Sequence, residues 1–304
     1  MSFWSSLIGI GRGRLPALAI AGLFALAWLP AHAYVGPGAL RAKYGELRDE
    51  LRHNDFHRAL HVDSSEAGDT LKGDVYAVLD YPFELVSKTL KAPADWCDVL
   101  LLPFNTKYCR AVGGKDGAAT LQVRIGRKYD QPVQEAYLLD FALQPVAASQ
   151  DYFESRLSAA SGPVGTRDYR IVVSAVPLDA KHTFMHFSYS YAYGMAGRVA
   201  MQAYLATAGA DKVGFSTSGR DANGKPIYIG GVRGAIERTA MRYYLAIDAH
   251  LASLGAPPEQ QLDKRIETWF REAERYPRQL HEMDRGTYVA MKRGEYERQH
   301  AKAE

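Results

Sequence analysis

Cysteine is nearly missing from this chain: there are two in 304 residues, Cys97 and Cys109. They stand too far apart for a C-x-x-C redox motif, and no second pair completes a zinc site, which leaves a structural disulfide closing a short loop as the reading. Net charge is also scarce, at +3, and a nearly neutral chain offers no electrostatic case for nucleic acid. Beyond the first thirty or so positions no apolar run is long enough to span a bilayer. Internal repeats are absent as well.

The leader is the first positive feature. Arg12 and Arg14 precede an uncharged stretch over residues 15–29; Pro30 then breaks the helix, and Ala31-His32-Ala33 offers a small-x-small cleavage site. These are the n-, h- and c-regions of a secretory signal peptide in order, and the apolar run is short of the roughly 20 residues of a spanning helix. The sequence therefore predicts cleavage near Ala33 and a periplasmic or secreted product, with the uncleaved anchor as the alternative. Export agrees with a Cys97–Cys109 disulfide and argues independently against nucleic acid. Arg12 and Arg14 account for two of the positive charges, so a chain starting after Ala33 carries +1.

Hydrophobic periodicity supplies the rest of the organisation. Leu40, Tyr44, Leu47 and Leu51 recur at helical spacing in a charged segment over 38–60, and residues 70–79 read as a strand ended by Asp80-Tyr81-Pro82. Residues 83–90 read as a helix. Strict alternation over 120–127, with Leu121, Val123 and Ile125 on one side, marks a half-buried strand. Further strands are expected at 136–143, 151–157, 169–176 and 182–193, joined by short turns as in an antiparallel meander. One face of the last strand carries Met185, Phe187, Tyr189, Tyr191 and Tyr193, which must cover a core or line a cavity; the other carries His182, Phe184, His186 and Ser188 and reads as a polar face. A helix is expected over 197–207. The strongest helix runs over 232–254, with Val232, Ile236, Ala240, Tyr243, Ile247, Leu251 and Leu254 on one stripe, ended by Gly255 and Pro257-Pro258. The charged remainder, anchored by Trp269, Phe270, Tyr276, Leu280 and Tyr288, reads as a helical appendage.

Gly73-Asp74-Val75-Tyr76-Ala77 leading through Tyr81-Pro82-Phe83-Glu84 into a helix, the late hairpin of residues 169–176 and 181–193, and the closing helix of residues 231–254 together resemble the START-like, or helix-grip (SRPBCC-type), superfamily, in a secreted bacterial form. The resemblance covers roughly residues 60–255 and rests on element order and turns. It implies an α+β fold in which a curved antiparallel sheet grips a long C-terminal helix, with an N-terminal helix and a helical C-terminal extension added. The implied division is signal peptide 1–33, helical segment 34–60, helix-grip domain 61–255 and charged extension 256–304. The helix over 197–207, the disulfide and the tail depart from the family pattern and leave the cavity's shape open.

The implied function is binding or carriage of a lipid or other hydrophobic small molecule, without a cofactor. Met185, Phe187, Tyr189 and Tyr191 would line the pocket together with Ile236, Tyr243 and Ile247, and Arg233 or Arg242 would meet a polar end. Glu237, Arg238 and their neighbours allow surface pairing as the plainer account of those arginines. Two other roles stay open: a cyclase- or hydrolase-like enzyme using His186 or Glu237 as base, and an envelope protein that docks a partner through its C-terminal helices. Catalytic motifs are weak. Ser216 lacks the closing glycine of G-x-S-x-G, and Gly230-Gly231 opens a helix without dinucleotide spacing. His53, His57 and His61, spaced by four beside Asp55 and Asp63, would share a metal only on a continuous helix, and read as solvated side chains; His182 and His186 read likewise as satisfied histidines, so no metal site is expected.

Overall fold

The computed structural model describes residues 36–113 and 118–301, so the leader and its cleavage site lie outside the described residues. Helix α1 (Pro37–Arg52) starts with proline at its first turn and buries Leu40, Leu47 and Leu51. Strands β1 (Leu60–Ala67) and β2 (Thr70–Leu79) form a hairpin whose two-residue turn needs a positive φ, supplied by Gly68 at 63°. Helices α2 (Phe83–Thr89) and α3 (Pro93–Leu101) follow, and then β3 (Thr106–Val112). The meander consists of β4 (Ala119–Ile125), β5 (Tyr137–Ala148), β6 (Phe153–Ser161), β7 (Thr166–Pro177) and β8 (Thr183–Tyr193). Helix α4 (Met195–Ala206), the small hairpin β9 (Thr217–Arg220) and β10 (Pro226–Tyr228), and the long α5 (Gly231–Ser253) come next. The tail holds α6 (Pro258–Ala273), a short α7 (Pro277–Leu280) and α8 (Arg285–His300).

The fold is α+β. Eight antiparallel strands stand in the order β1-β2-β8-β7-β6-β5-β4-β3, so consecutive strands of the meander are neighbours and β8 closes against β2. Helix α5 crosses the inner face over β1, β2 and β8. Gly73 permits the approach: a Cβ there would stand 3.0 Å from the Ile236 carbonyl oxygen and 3.2 Å from Ala240 Cβ. The outer face is not the simple polar surface the alternation predicts. Helix α1 covers it, and Phe184 is buried there with Leu40, Leu47, Leu51, Tyr152 and Val176. On the same face His186 is buried, bonds Asp74 at 2.7 Å and stacks on Tyr76 with ring centres 4.3 Å apart. As the sequence suggests, this histidine has a partner for its polar edge, and that partner is a carboxylate on the neighbouring strand.

Two strands escape the sequence reading. The segment over 38–60 ends its helix at Arg52, and β1 follows as an edge strand with only Leu60 and Val62 as apolar signal. Strand β3, the other edge, is pinned to α3 by the Cys97–Cys109 disulfide across a separation of 12 residues. The tail packs on the domain through the anchors its sequence offers. Trp269 and Tyr288 have no exposed surface and stack at 5.1 Å, and both meet Phe104 edge-on within the one main core.

Candidate functional site: a hollow between sheet, α4 and α5

Helix α5 touches β2 closely at Gly73 but leaves space on its other flank, toward β4, β5, β7 and α4. Two adjoining compartments of about 330 and 320 Å³ lie there and share Asn105, Tyr191, Met201, Tyr204, Thr239 and Tyr243 as walls. Each reaches the lower end of the ~300–1,000 Å³ typical of small-molecule sites.

The first compartment is aromatic and aliphatic. Ile125, Leu139 and Phe141 from β4 and β5 face Tyr169, Tyr189 and Tyr191 from β7 and β8. Tyr169 stacks on Tyr191 at 5.4 Å and Tyr189 on Tyr243 at 5.6 Å. Tyr169 donates its hydroxyl proton to Thr166 at 2.7 Å. Burial, with the neighbouring tyrosines adding, drives the Tyr189 phenol well above its ordinary pKa, so it stays neutral. Helix α4 forms the outer wall with Ala200, Met201 and Tyr204. It is an apolar helix with little covering it: Met195 is 77% and Val199 58% exposed, and Val164 in the adjoining β6–β7 turn is 58% exposed.

The second compartment is cationic, with Arg127, Lys128, Arg238 and Arg242 in its wall and no acidic side chain among its lining residues. Arg242 pairs with Glu282 at 2.5 Å, and Lys128 meets the same carboxylate oxygen at 2.6 Å. Burial works against the Glu282 charge, yet Arg242 and Lys128 outweigh it and hold the carboxyl below the usual range. Arg238, 1% exposed, donates to the Val213 carbonyl at 3.2 Å and to the Tyr204 hydroxyl at 3.1 Å. Burial opposes ionisation of Tyr204, but Arg238 and Lys128 prevail and lower its pKa.

The expected lining residues divide. Tyr189, Tyr191, Tyr243 and Arg242 border the hollow. Met185, Phe187, Ile236 and Ile247 are sealed in the packed core, with at most 2% exposure, and line neither compartment. The Gly73 contact explains this, since the helix and β2 leave no space at that level. Arg233 is directed elsewhere: it donates to the Ser64 carbonyl at 2.7 Å and to Ser64 Oγ at 3.1 Å, fastening α5 to edge strand β1. Lys128, Tyr169, Tyr204 and Glu282 carry no local sequence signal for the site, because they come from segments that only the fold brings together.

The alternative chemistry finds other uses for its residues. Glu237, with no exposed surface, accepts from Ser64 Oγ at 2.6 Å, from the Phe215 and Ser216 amides at 2.6 and 2.9 Å, and from Ser216 Oγ. A carboxylate so saturated with donors ties a loop to α5 and is ill placed to take a proton from a substrate. His53, His57 and His61 share no helix: the first caps α1, the second sits at φ 53°, and the third is in β1, paired with Glu50 at 2.6 Å. His53 and His61 instead border a separate groove of about 660 Å³ beside β9 and β10, whose walls carry Glu50, Asp55, Ser216, Thr217 and Arg220. Phe56, Leu60, Val62, Phe215 and Tyr228 share those walls, so the groove is mixed in character, and none of the expected lining residues borders it. Among the described residues, Asp95, Asp98 and His250 converge closely enough to hold a cation, but His250 bonds Asp95 at 2.9 Å and Asp98 pairs with Arg265.

No family model matches this chain, and no curated protein matches it. Solved structures similar to it include a conserved protein from Geobacillus kaustophilus (14% identity, 60% of this chain and 95% of that one, TM-score 0.37). A Zhui aromatase/cyclase from Streptomyces sp. R1128 is 13% identical over 71% of this chain and 96% of its own, with a TM-score of 0.32. A norcoclaurine synthase from Thalictrum flavum is 14% identical over 44% and 80%, with a TM-score of 0.31. Likenesses this distant carry no argument about activity.

Proposed function

We propose that this protein binds and carries a hydrophobic small molecule, held in the hollow between the sheet, α4 and α5. The observation that carries the reading is the aromatic compartment itself. Tyr169, Tyr189, Tyr191 and Tyr243 stack among themselves and line an open cleft of about 330 Å³, whose wall is mostly apolar. A guest there gains about 25 cal/mol for each Å² of apolar surface removed from water. The exposed apolar side chains of α4 and Val164 frame the route in, and movement of α4 admits the guest without disturbing the α5–β2 contact. Sequestration without chemistry is favoured because Glu237 and His186, the two candidate bases, are committed to protein partners and neither borders the hollow.

The proposed place of work is the periplasm or the exterior, supported by the leader sequence and the single disulfide. Native mass spectrometry of the protein purified from producing cells tests both parts. The expected spectrum shows a polypeptide starting at Tyr34 that carries a small-molecule mass excess, removable by organic extraction. A ligand-free mass that takes up no added apolar probe would overturn the carrier reading, and a retained leader would overturn the cleavage.

A further inference from the structure

The second compartment has more buried positive charge than the protein answers. Arg238 is almost fully buried and meets no carboxylate among the described residues; its partners are a backbone carbonyl and a phenol. Arg242 divides Glu282 with Lys128, and its buried Nε has no hydrogen-bond partner. Lys212 stands close enough to interact with the same three charges. Burying a cation without an opposite charge is costly, and a guanidinium left partly unpaired in a cavity is a strong attractor for an anion. Tyr204 adds a donor: its oxygen accepts from Arg238, which leaves its own proton free to point into the space it lines.

We propose that this compartment receives an anionic head, a carboxylate or a phosphate monoester, so that the guest is an amphiphilic anion whose apolar body occupies the neighbouring aromatic compartment. The inference rests on the carrier reading and names its ligand class. Arg238, Arg242 and Lys128 bind the head, and Tyr204, Thr239 and Tyr243 stand where the two compartments meet. Glu282 is then the protein's own competitor, holding Arg242 and Lys128 until the guest arrives.

Calorimetric titration of the protein with decanoate, decyl phosphate, decanol and decyltrimethylammonium tests this, repeated with 2-naphthoate and 2-naphthol for a flat body. At least one anion is expected to bind about tenfold or more tightly than its neutral counterpart, as a charge-assisted hydrogen bond predicts, and the cation is expected to bind worst. Which head binds better separates the carboxylate source from the phosphate one. Lys128→Met, at a partly exposed position that folding tolerates, should weaken the anion severalfold and leave decanol unchanged, whereas Glu282→Gln should tighten it. Equal affinity of anion and alcohol overturns the anionic compartment while leaving the apolar carrier intact. Failure of every member of the series to bind overturns both.

Discussion

Two clusters in this molecule use nearly the same residues to opposite ends. Under the tail, Lys107 and Lys292 share Glu295 at 3.0 and 2.7 Å, and their remaining protons go to the carbonyls of Phe104, Pro103 and Thr106 and to the Met291 sulfur. All three side chains are buried, and the packing beside Lys292 has no room for a water. Beside α5, Lys128 and Arg242 crowd onto one oxygen of Glu282, where Lys107 and Lys292 each take their own oxygen of Glu295; Arg238 adds a further charge, and some 320 Å³ of space adjoins them. The first cluster is closed and its donors are matched; the second is open and in surplus. Charge composition is therefore silent about function here, and the space next to the charges is what distinguishes a closed staple from the proposed binding site.

The largest effect should come from breaking the closed cluster. Glu295→Gln leaves two ammonium groups buried without a counter-charge and should cost about 3–5 kcal/mol of stability, read as the urea midpoint of the purified protein. Glu282→Gln, which takes the carboxylate from the buried Arg242, should cost less, about 1–3 kcal/mol, because Lys128 is partly exposed and open space adjoins the pair. Equal losses in the two variants would dissolve the distinction between the clusters.

A smaller and more diagnostic effect is pH dependence. Burial, reinforced by Lys107 and opposed by Glu295, pushes the Lys292 ammonium down to about 8 from an ordinary value of 10.5. Below pH 8 the folded protein bears the full cost of that buried charge. Between about 8 and 10.5 the unfolded chain holds the proton more tightly than the folded one, so this group makes stability rise with pH. Urea melts from pH 7 to 10 should show that rise, and Lys292→Met should flatten it. The smallest effect belongs to Lys128→Met, expected to leave the melting temperature within a degree or two.

Much of the architecture could be read from periodicity. The alternation at Leu121, Val123 and Ile125 identifies β4, the aromatic face of β8 turns inward, and the stripe from Ile236 to Leu251 is the buried length of α5. Edge strands were harder, because β1 and β3 bury few side chains and so leave little alternation to find. The tail's dense charge leaves few apolar signals, but those few, Trp269, Phe270, Tyr276, Leu280 and Tyr288, all belong to the main core. The site was legible in half. Tyr189, Tyr191 and Tyr243 follow from their elements, yet which inward side chains border space and which are sealed depends on a close approach at Gly73 far from them in sequence. Lys128, Tyr204 and Glu282 arrive from three separate segments, a convergence only the assembled fold provides.

The hollow itself is the claim on which the rest depends, and Thr239, on α5 where both compartments meet, is the place to fill it. Fluorescence titration with the apolar dye Nile red should show saturable binding to the unaltered protein and at least a tenfold loss in Thr239→Trp, while thermal unfolding stays cooperative. Undiminished dye binding by a folded Thr239→Trp variant would contradict the account.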